Sequence, residues 1–195
     1  MSKEAALFGL ILAGGKSVRM TRSKAFIDYH GQAQVNYLFQ LLSKYSQQVY
    51  TSCKPEQNFD SSLNPLPDQF DLDTPLNGIL TAFHKHSVHA WLSVPVDMPY
   101  IDNDLLAHLI SNRNKNKSAT CYYDSTGNAP EPLLCIWEPN IYNSLMKFYK
   151  DGGHSPRELL KQSDINLLKV PDKKYLTNIN SPDELILFRK INPLK

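Results

Sequence analysis

Between Leu7 and Lys24 the chain reads LFGLILAGGKSVRMTRSK, and this run constrains the fold more than any other. Leu7, Phe8, Leu10, Ile11 and Leu12 form a nearly continuous apolar stretch of strand length. Without polar alternation, such a stretch has the pattern of a strand covered on both faces in a parallel sheet. Gly14 and Gly15 end it. Having no Cβ, they allow a sharp turn in which backbone N–H groups approach a bound group closely. Arg19 and Lys24 follow, cationic side chains suited to phosphate. A buried strand that opens into a glycine turn and then into cations is a nucleotide-loop design.

Gly15, Lys16 and Ser17 spell the end of the P-loop NTPase motif, but the spacing fails. That motif needs a glycine five positions before Gly15, where this chain has Leu10, with Gly9 one residue out of place. The plain structural alternative is a Gly-Gly strand-to-helix turn with scattered surface charges.

The pattern Leu12-Ala13-Gly14-Gly15-x-Ser17-x-Arg19-Met20-x-x-x-Lys24 resembles the LAGGxSxRMGxxK signature of nucleotidyltransferases with a Rossmann-like fold. The double glycine after alanine is most similar to the molybdenum cofactor guanylyltransferases, the MobA family, whereas relatives that use CTP more often show Ala-Ala-Gly. Two positions depart from the signature: Thr21 stands where the family has Gly, and Ser23 where it commonly has Asp. A β-branched residue is poorly suited to positive φ, so the loop either does not need that conformation or has shifted.

At 195 residues, with 42% hydrophobic and 21% charged residues, the chain suits a single globular domain over 1–195. A net charge of +2 argues against general polyanion binding, so nucleic acid is not an expected partner and phosphate recognition has to be local. Cys53, Cys121 and Cys135 are odd in number and lack metal-type spacing, which favours reduced thiols in a cytoplasmic protein. No segment has the apolar length of a membrane span, and the Leu7–Ala13 run lacks the marks of a signal peptide.

Downstream, apolar residues at helical spacing predict a helix over 33–45, and Gln48–Ser52 reads as a second strand. Strand, helix, strand implies a parallel pair with a right-handed crossover. The end of that strand, Thr51-Ser52-Cys53-Lys54, then lies where open parallel sheets place ligand contacts. Residues 55–75 read as loop around one short strand near Leu66, and Pro75 as the start of the next helix. His84, His86 and His89 have no acid or cysteine nearby to complete a ligand set, so a helix-end role is preferred to a metal site. His89–Val94 is the next strand and runs into Val96-Asp97-Met98-Pro99. A carboxylate just beyond a buried strand suits magnesium, which takes oxygen ligands and is often held by one or two carboxylates plus substrate phosphates. A turn aspartate before Pro99 is the competing reading.

Asp102 can cap a helix from Asn103 to about Asn112, and Arg113, Lys115 and Lys117 read as its solvated end. Strands over 118–123 and 132–137 and a helix over 140–149 follow. Ser155 to Glu158 and Ser181 to Glu184 both read as capping boxes. A helix start can hold an anion, so His154, Ser155 and Arg157 are candidates for an acceptor phosphate.

The MobA resemblance extends along nearly the whole chain. Pro67-Asp68 followed by Pro75-Leu76-Asn77-Gly78 is similar to the family's Asp…Gly-Pro-Leu-x-Gly run, with Thr74 replacing the first Gly. Val96-Asp97-Met98-Pro99 resembles Cys-Asp-x-Pro, Pro130 to Leu133 a segment bordering the acceptor, and Asn178-Ile179-Asn180-Ser181-Pro182 the family's Asn-x-Asn-Thr-Pro close. The resemblance implies a three-layer α/β/α nucleotidyltransferase fold with a mostly parallel sheet. It implies GMP transfer from GTP to molybdopterin carrying molybdenum, with Mg²⁺ as cofactor and molybdoenzyme-maturation proteins as further partners. Under it, Leu12, Ala13, Gly14, Gly15 and Asp68 hold the nucleotide together with Ser52, Arg19 and Lys24 neutralise phosphates, Asp97 holds the metal, and Asn178 and Asn180 contact the substrate or metal-bound water, while Arg157 is an acceptor candidate from its helix start alone. The glycine turn and Asp97 then have to converge on one triphosphate. Rival readings are another nucleotidyltransferase, such as a cytidylyl enzyme of the same cofactor route, and a nucleotide-binding interaction protein without turnover.

Overall fold

The computed structural model describes residues 5–14 and 23–192. Among them, β1 (Leu7–Leu12), β2 (Val49–Cys53), β3 (Pro65–Pro67), β4 (Ala90–Pro95), β5 (Ala119–Tyr123), β6 (Pro130–Trp137) and β7 (Ile165–Leu168) form one seven-stranded sheet. Its order is β3-β2-β1-β4-β6-β5-β7, and only β6 runs antiparallel to its neighbours.

Alternation along β1 explains the layers. Ile11 points into the core shared with α1 (Gln34–Ser43) and α3 (Asn103–Ser111), which contribute Val35, Leu38, Leu42, Leu105, Leu106 and Leu109. Phe8, Leu10 and Leu12 point the other way, against α2 (Leu76–Lys85), α4 (Tyr142–Lys150) and α5 (Pro156–Lys161) through Ile79, Phe83, Leu145 and Leu160. A strand covered on both faces has to be apolar at nearly every position, which is why β1 reads as a run and not as an alternation. The three-layer α/β/α architecture with a mostly parallel sheet is therefore the one adopted. α6 (Pro182–Ile191) packs outside these layers, with Phe188 against Tyr29, Ile27 and Ile179.

Three local expectations change. β5 and β6 form an antiparallel hairpin across a turn in which Asp124 Oδ1 accepts from Thr126 N, Thr126 Oγ1 and Asn128 N. Arg113 is not a solvated helix end: its guanidinium makes two bonds, 2.6 and 2.8 Å, to the carboxylate of Glu138, which is 2% exposed. Ser155 caps α5 by accepting from Glu158 N without the reciprocal bond, whereas Ser181 and Glu184 form the full capping box. β7 was not anticipated; it is a half-buried four-residue edge strand paired parallel with β5.

Candidate functional site

The chain adds β2 and β3 on one side of β1 and then crosses to place β4 on the other side. Where the order of a parallel sheet reverses, helices leave opposite faces and open a crevice at the carboxyl ends of the strands. Leu12 lies in register with Ser52 on one side and with Pro95 on the other. Gly14 and Asp97, each two residues further on, therefore leave the sheet from neighbouring strands.

A cleft over these ends is lined by Leu12, Ala13, Gly14, Lys24, Ser52, Asp68 and Asp97, and also by Lys54, Asp73, Thr74, Gly78 and Leu133. Lys54 stands in the Thr51–Lys54 stretch where the sequence predicts ligand contacts, whereas Asp73 has no such signal. Gly15 and Arg19 lie outside the described residues, as does Thr21.

At the β4 end, Lys24 opens a short 3-10 turn (Lys24–Phe26), anchored by the fully buried Ala25. Its ammonium donates to Asp97 Oδ2 at 3.3 Å and to Asn180 Oδ1. Asp97 is fixed from behind, because its backbone carbonyl accepts from Ile179 N at 2.8 Å. Side chains 73 and 156 positions apart thus meet at one nitrogen. A carboxylate oxygen and an amide oxygen facing one cation are hard donors of the type magnesium takes alongside substrate phosphates, so this pair fits that ion. Among the described residues there is no group of three or more His, Cys, Asp or Glu arranged to hold a metal. Tyr29 lies nearby; its buried hydroxyl has no hydrogen-bond partner, and burial followed by the charge of Asp97 raises its pKa.

At the β2–β3 end, Asp68 N donates to Cys53 O, and Asp68 Oδ1 accepts from Ser52 Oγ at 3.1 Å. Burial pushes the Asp68 carboxyl up to about 6, against the opposing pull of the Ser52 hydroxyl and the Lys54 charge. Two glycines permit this crowding. A Cβ on Gly14 would lie 3.3 Å from Asp68 Oδ2, and one on Gly78 would lie 2.2 Å from Ser52 Oγ, so α2 can approach β2 only without a side chain there. Asn77, missed in the sequence, shapes the loop before α2: its amide donates to Phe70 O and Leu72 O and accepts from Phe70 N. An amide within an otherwise apolar helical stripe was the available signal.

The acceptor candidates separate. Both Asn178 and Asn180 are exposed and outside the cleft lining, but Asn180 reaches Lys24 at its edge. The Arg157 guanidinium pairs with Asp124 at 3.3 Å and Glu131 at 3.7 Å. Burial raises the Glu131 pKa, Arg157 and the Leu133 N–H oppose this, and Asp97 and Asp124 reinforce it. Glu131 and its partner Arg157 therefore belong to the electrostatic surroundings of Asp97. Ser155 is engaged in its cap, and the His154 carbonyl accepts from Thr74 Oγ1.

Residues 9–167 match the profile described as MobA-like NTP transferase domain. The chain is 38% identical over 136 residues to a "Molybdenum cofactor biosynthesis bifunctional protein" of Synechocystis sp., a match covering 68% of this chain and 39% of that protein. It is 34% identical over 100 residues to a "Probable molybdenum cofactor guanylyltransferase" of Clostridium perfringens, covering 51% and 50%. The chain thus spans half or less of the length of these relatives. The crystal structure of molybdopterin-guanine dinucleotide biosynthesis protein A from Archaeoglobus fulgidus superposes with a TM-score of 0.77 at 20% identity, over 94% of this chain and 97% of that one, a likeness of fold. Since the profile match runs from within β1 into β7 and so takes in the whole sheet apart from the tips of those two strands, the chain belongs to the MobA-like NTP transferase family.

Proposed function

We propose that this protein transfers GMP from GTP to the terminal phosphate of molybdenum-carrying molybdopterin, giving molybdopterin guanine dinucleotide and pyrophosphate, in the cytoplasm. The reading rests on the names of the relatives and, above all, on the meeting of Lys24 and Asp97 in a cleft at the switch point of a parallel sheet, where Lys24 also bonds Asn180. An oxygen of the acceptor phosphate forms a bond to the α-phosphorus, the bond from that phosphorus to its bridging oxygen breaks, and pyrophosphate leaves with the electron pair.

Such a transfer asks the protein for position and for neutralisation of spreading negative charge. Backbone groups at Leu12, Ala13 and Gly14 border the nucleoside, with Ser52 and Asp68 beyond them, and Lys24 faces the phosphates; Gly15 and Arg19 complete the loop in this reading. Asp97 and Asn180 would hold Mg²⁺. That ion, when bound, supplies positive charge to the phosphate oxygens and the departing pyrophosphate. Ion pairing with Lys24 keeps the Asp97 carboxylate oriented toward the same point.

The test is pyrophosphate release by the purified chain with Mg²⁺, comparing GTP, CTP and ATP with and without molybdopterin. The proposal expects release that needs both GTP and the acceptor. Release with CTP in preference to GTP, or nucleotide binding without any release, overturns it.

A further inference from the structure

Strand order sets the direction in which a nucleotide can lie. Lys24 and Asp97 mark the β4 end of the cleft, whereas Lys54 follows β2 and Asp73 follows β3, two and three strands away. At ~4.8 Å per strand this is a span of about 10–15 Å, on the scale of an extended nucleotide. Phosphates at Lys24 therefore direct the base toward Lys54 and Asp73.

These two side chains form an ion pair of 2.8 Å, with Asp73 55% exposed. A pair this open to water is held weakly and parts readily for a ligand that satisfies both members. The backbone beneath it is held firmly. Asn77 fixes Phe70 and Leu72, the Thr74 hydroxyl bonds His154 O, and Thr74 O accepts from Asn77 N, so Asp73 sits between clamped neighbours. Lys54 N donates to Gln57 Oε1 at 2.8 Å. An acceptor and a donor carried side by side on held backbone make a recognition edge whose position, though not its side-chain conformation, is preorganised. The neighbouring Asp68 is turned inward to Ser52 and lies close to Gly14.

The Watson–Crick edge of guanine offers N1–H and N2–H side by side, with the O6 acceptor next to them. A carboxylate takes both N–H groups, and an ammonium takes O6. Adenine presents an acceptor at N1 where guanine has a donor, and cytosine has a single donor group flanked by an acceptor. Neither matches this pair as well. Building on the guanylyl reading above, we propose that Asp73 and Lys54 read the base of the donor nucleotide, Asp73 accepting from N1–H and N2–H of guanine and Lys54 donating to O6.

Calorimetric titration of the full chain with Mg²⁺ and either GTP or ITP, whose base lacks the N2 amine, tests this. Charge-assisted hydrogen bonds of this kind correspond to about 10- to 150-fold in affinity. The wild type is expected to bind GTP at least about tenfold more tightly than ITP, Asp73→Ala to bring that ratio near one, and Lys54→Met to weaken both nucleotides while keeping the ratio. A ratio that survives Asp73→Ala, or that collapses with Asp68→Asn instead, overturns the base assignment and leaves guanylyl transfer standing. A wild type that binds neither nucleotide overturns both.

Discussion

Lys24, Asp97 and Asn180 meet in space although nothing in their local sequence requires it, and that meeting holds an ammonium between two oxygen acceptors at the edge of the cleft. Replacing Lys24 with Ala or Asp97 with Asn is expected to lower kcat by about 10²-fold or more, the scale for losing one preorganised charge-stabilising group. The melting temperature should shift little, since both side chains are partly exposed and their pair is a small part of the fold. Steady-state pyrophosphate release and a melting curve on each variant check both halves. Asp68 carries a different expectation. Its folded pKa of about 6 lies above that of an exposed aspartate, so its contribution to stability is full below the unfolded value and is lost as pH rises through about 6. Asp68→Asn should therefore flatten the stability profile between pH 4 and about 6.5, read by denaturant melts at each pH. Ser52, Lys54 and Asp97 were visible in the sequence because each ends or follows an apolar run that reads as a parallel strand, whereas Asp68 stood out only through the family resemblance and otherwise reads as a solvated loop acid. Asp73 was not visible, because it lies in loop sequence where charged residues are ordinary.

Elements meet through contacts that spacing does not encode. Arg113, one residue past the C-cap of α3, reaches Glu138 at the end of β6, and the tool of periodicity sees only a basic cluster after a helix. Arg113→Ala leaves a buried carboxylate without its partner and is expected to cost about 3–5 kcal/mol, measured by urea unfolding. Pairing Arg113→Met with Glu138→Leu should recover most of it. The approach of α2 to β2 makes a second prediction. Gly78→Ala sets a methyl group against Ser52 Oγ and Cβ, so α2 has to move, at a cost of about 1–3 kcal/mol. Combining it with Ser52→Gly should restore part of the loss. Strands β1, β2 and β4 and helices α1 and α3 were legible within a residue or two, because each carries a strong apolar pattern or cap. The edge strand β7 was not: it is short and half-buried, so its sequence gives little contrast with loop.

At the scale of the molecule, the Lys24 corner of the cleft draws on both ends of the chain, for Asn180 lies beyond the residues matched by the family profile and still bonds Lys24. Saturating GTP with Mg²⁺ at about 100 times Kd is expected to stabilise the whole chain by about 2.7 kcal/mol in a single unfolding transition. A separate early loss of nucleotide binding would show that the site comes apart before the sheet. Fold class was legible because the first strand, its glycine turn and the repeated strand–helix order all imply a parallel sheet; the β5–β6 reversal was not, because two apolar runs do not state their relative direction. One end of that sheet has a consequence for how the protein keeps company with itself. In β3 the amides of Asp68 and Leu66 face β2, so the ring nitrogens of Pro65 and Pro67 face outward and have no hydrogen to give. A stray strand arriving at that border finds no ladder to climb, and crowded copies of the chain are spared one route to sticking together.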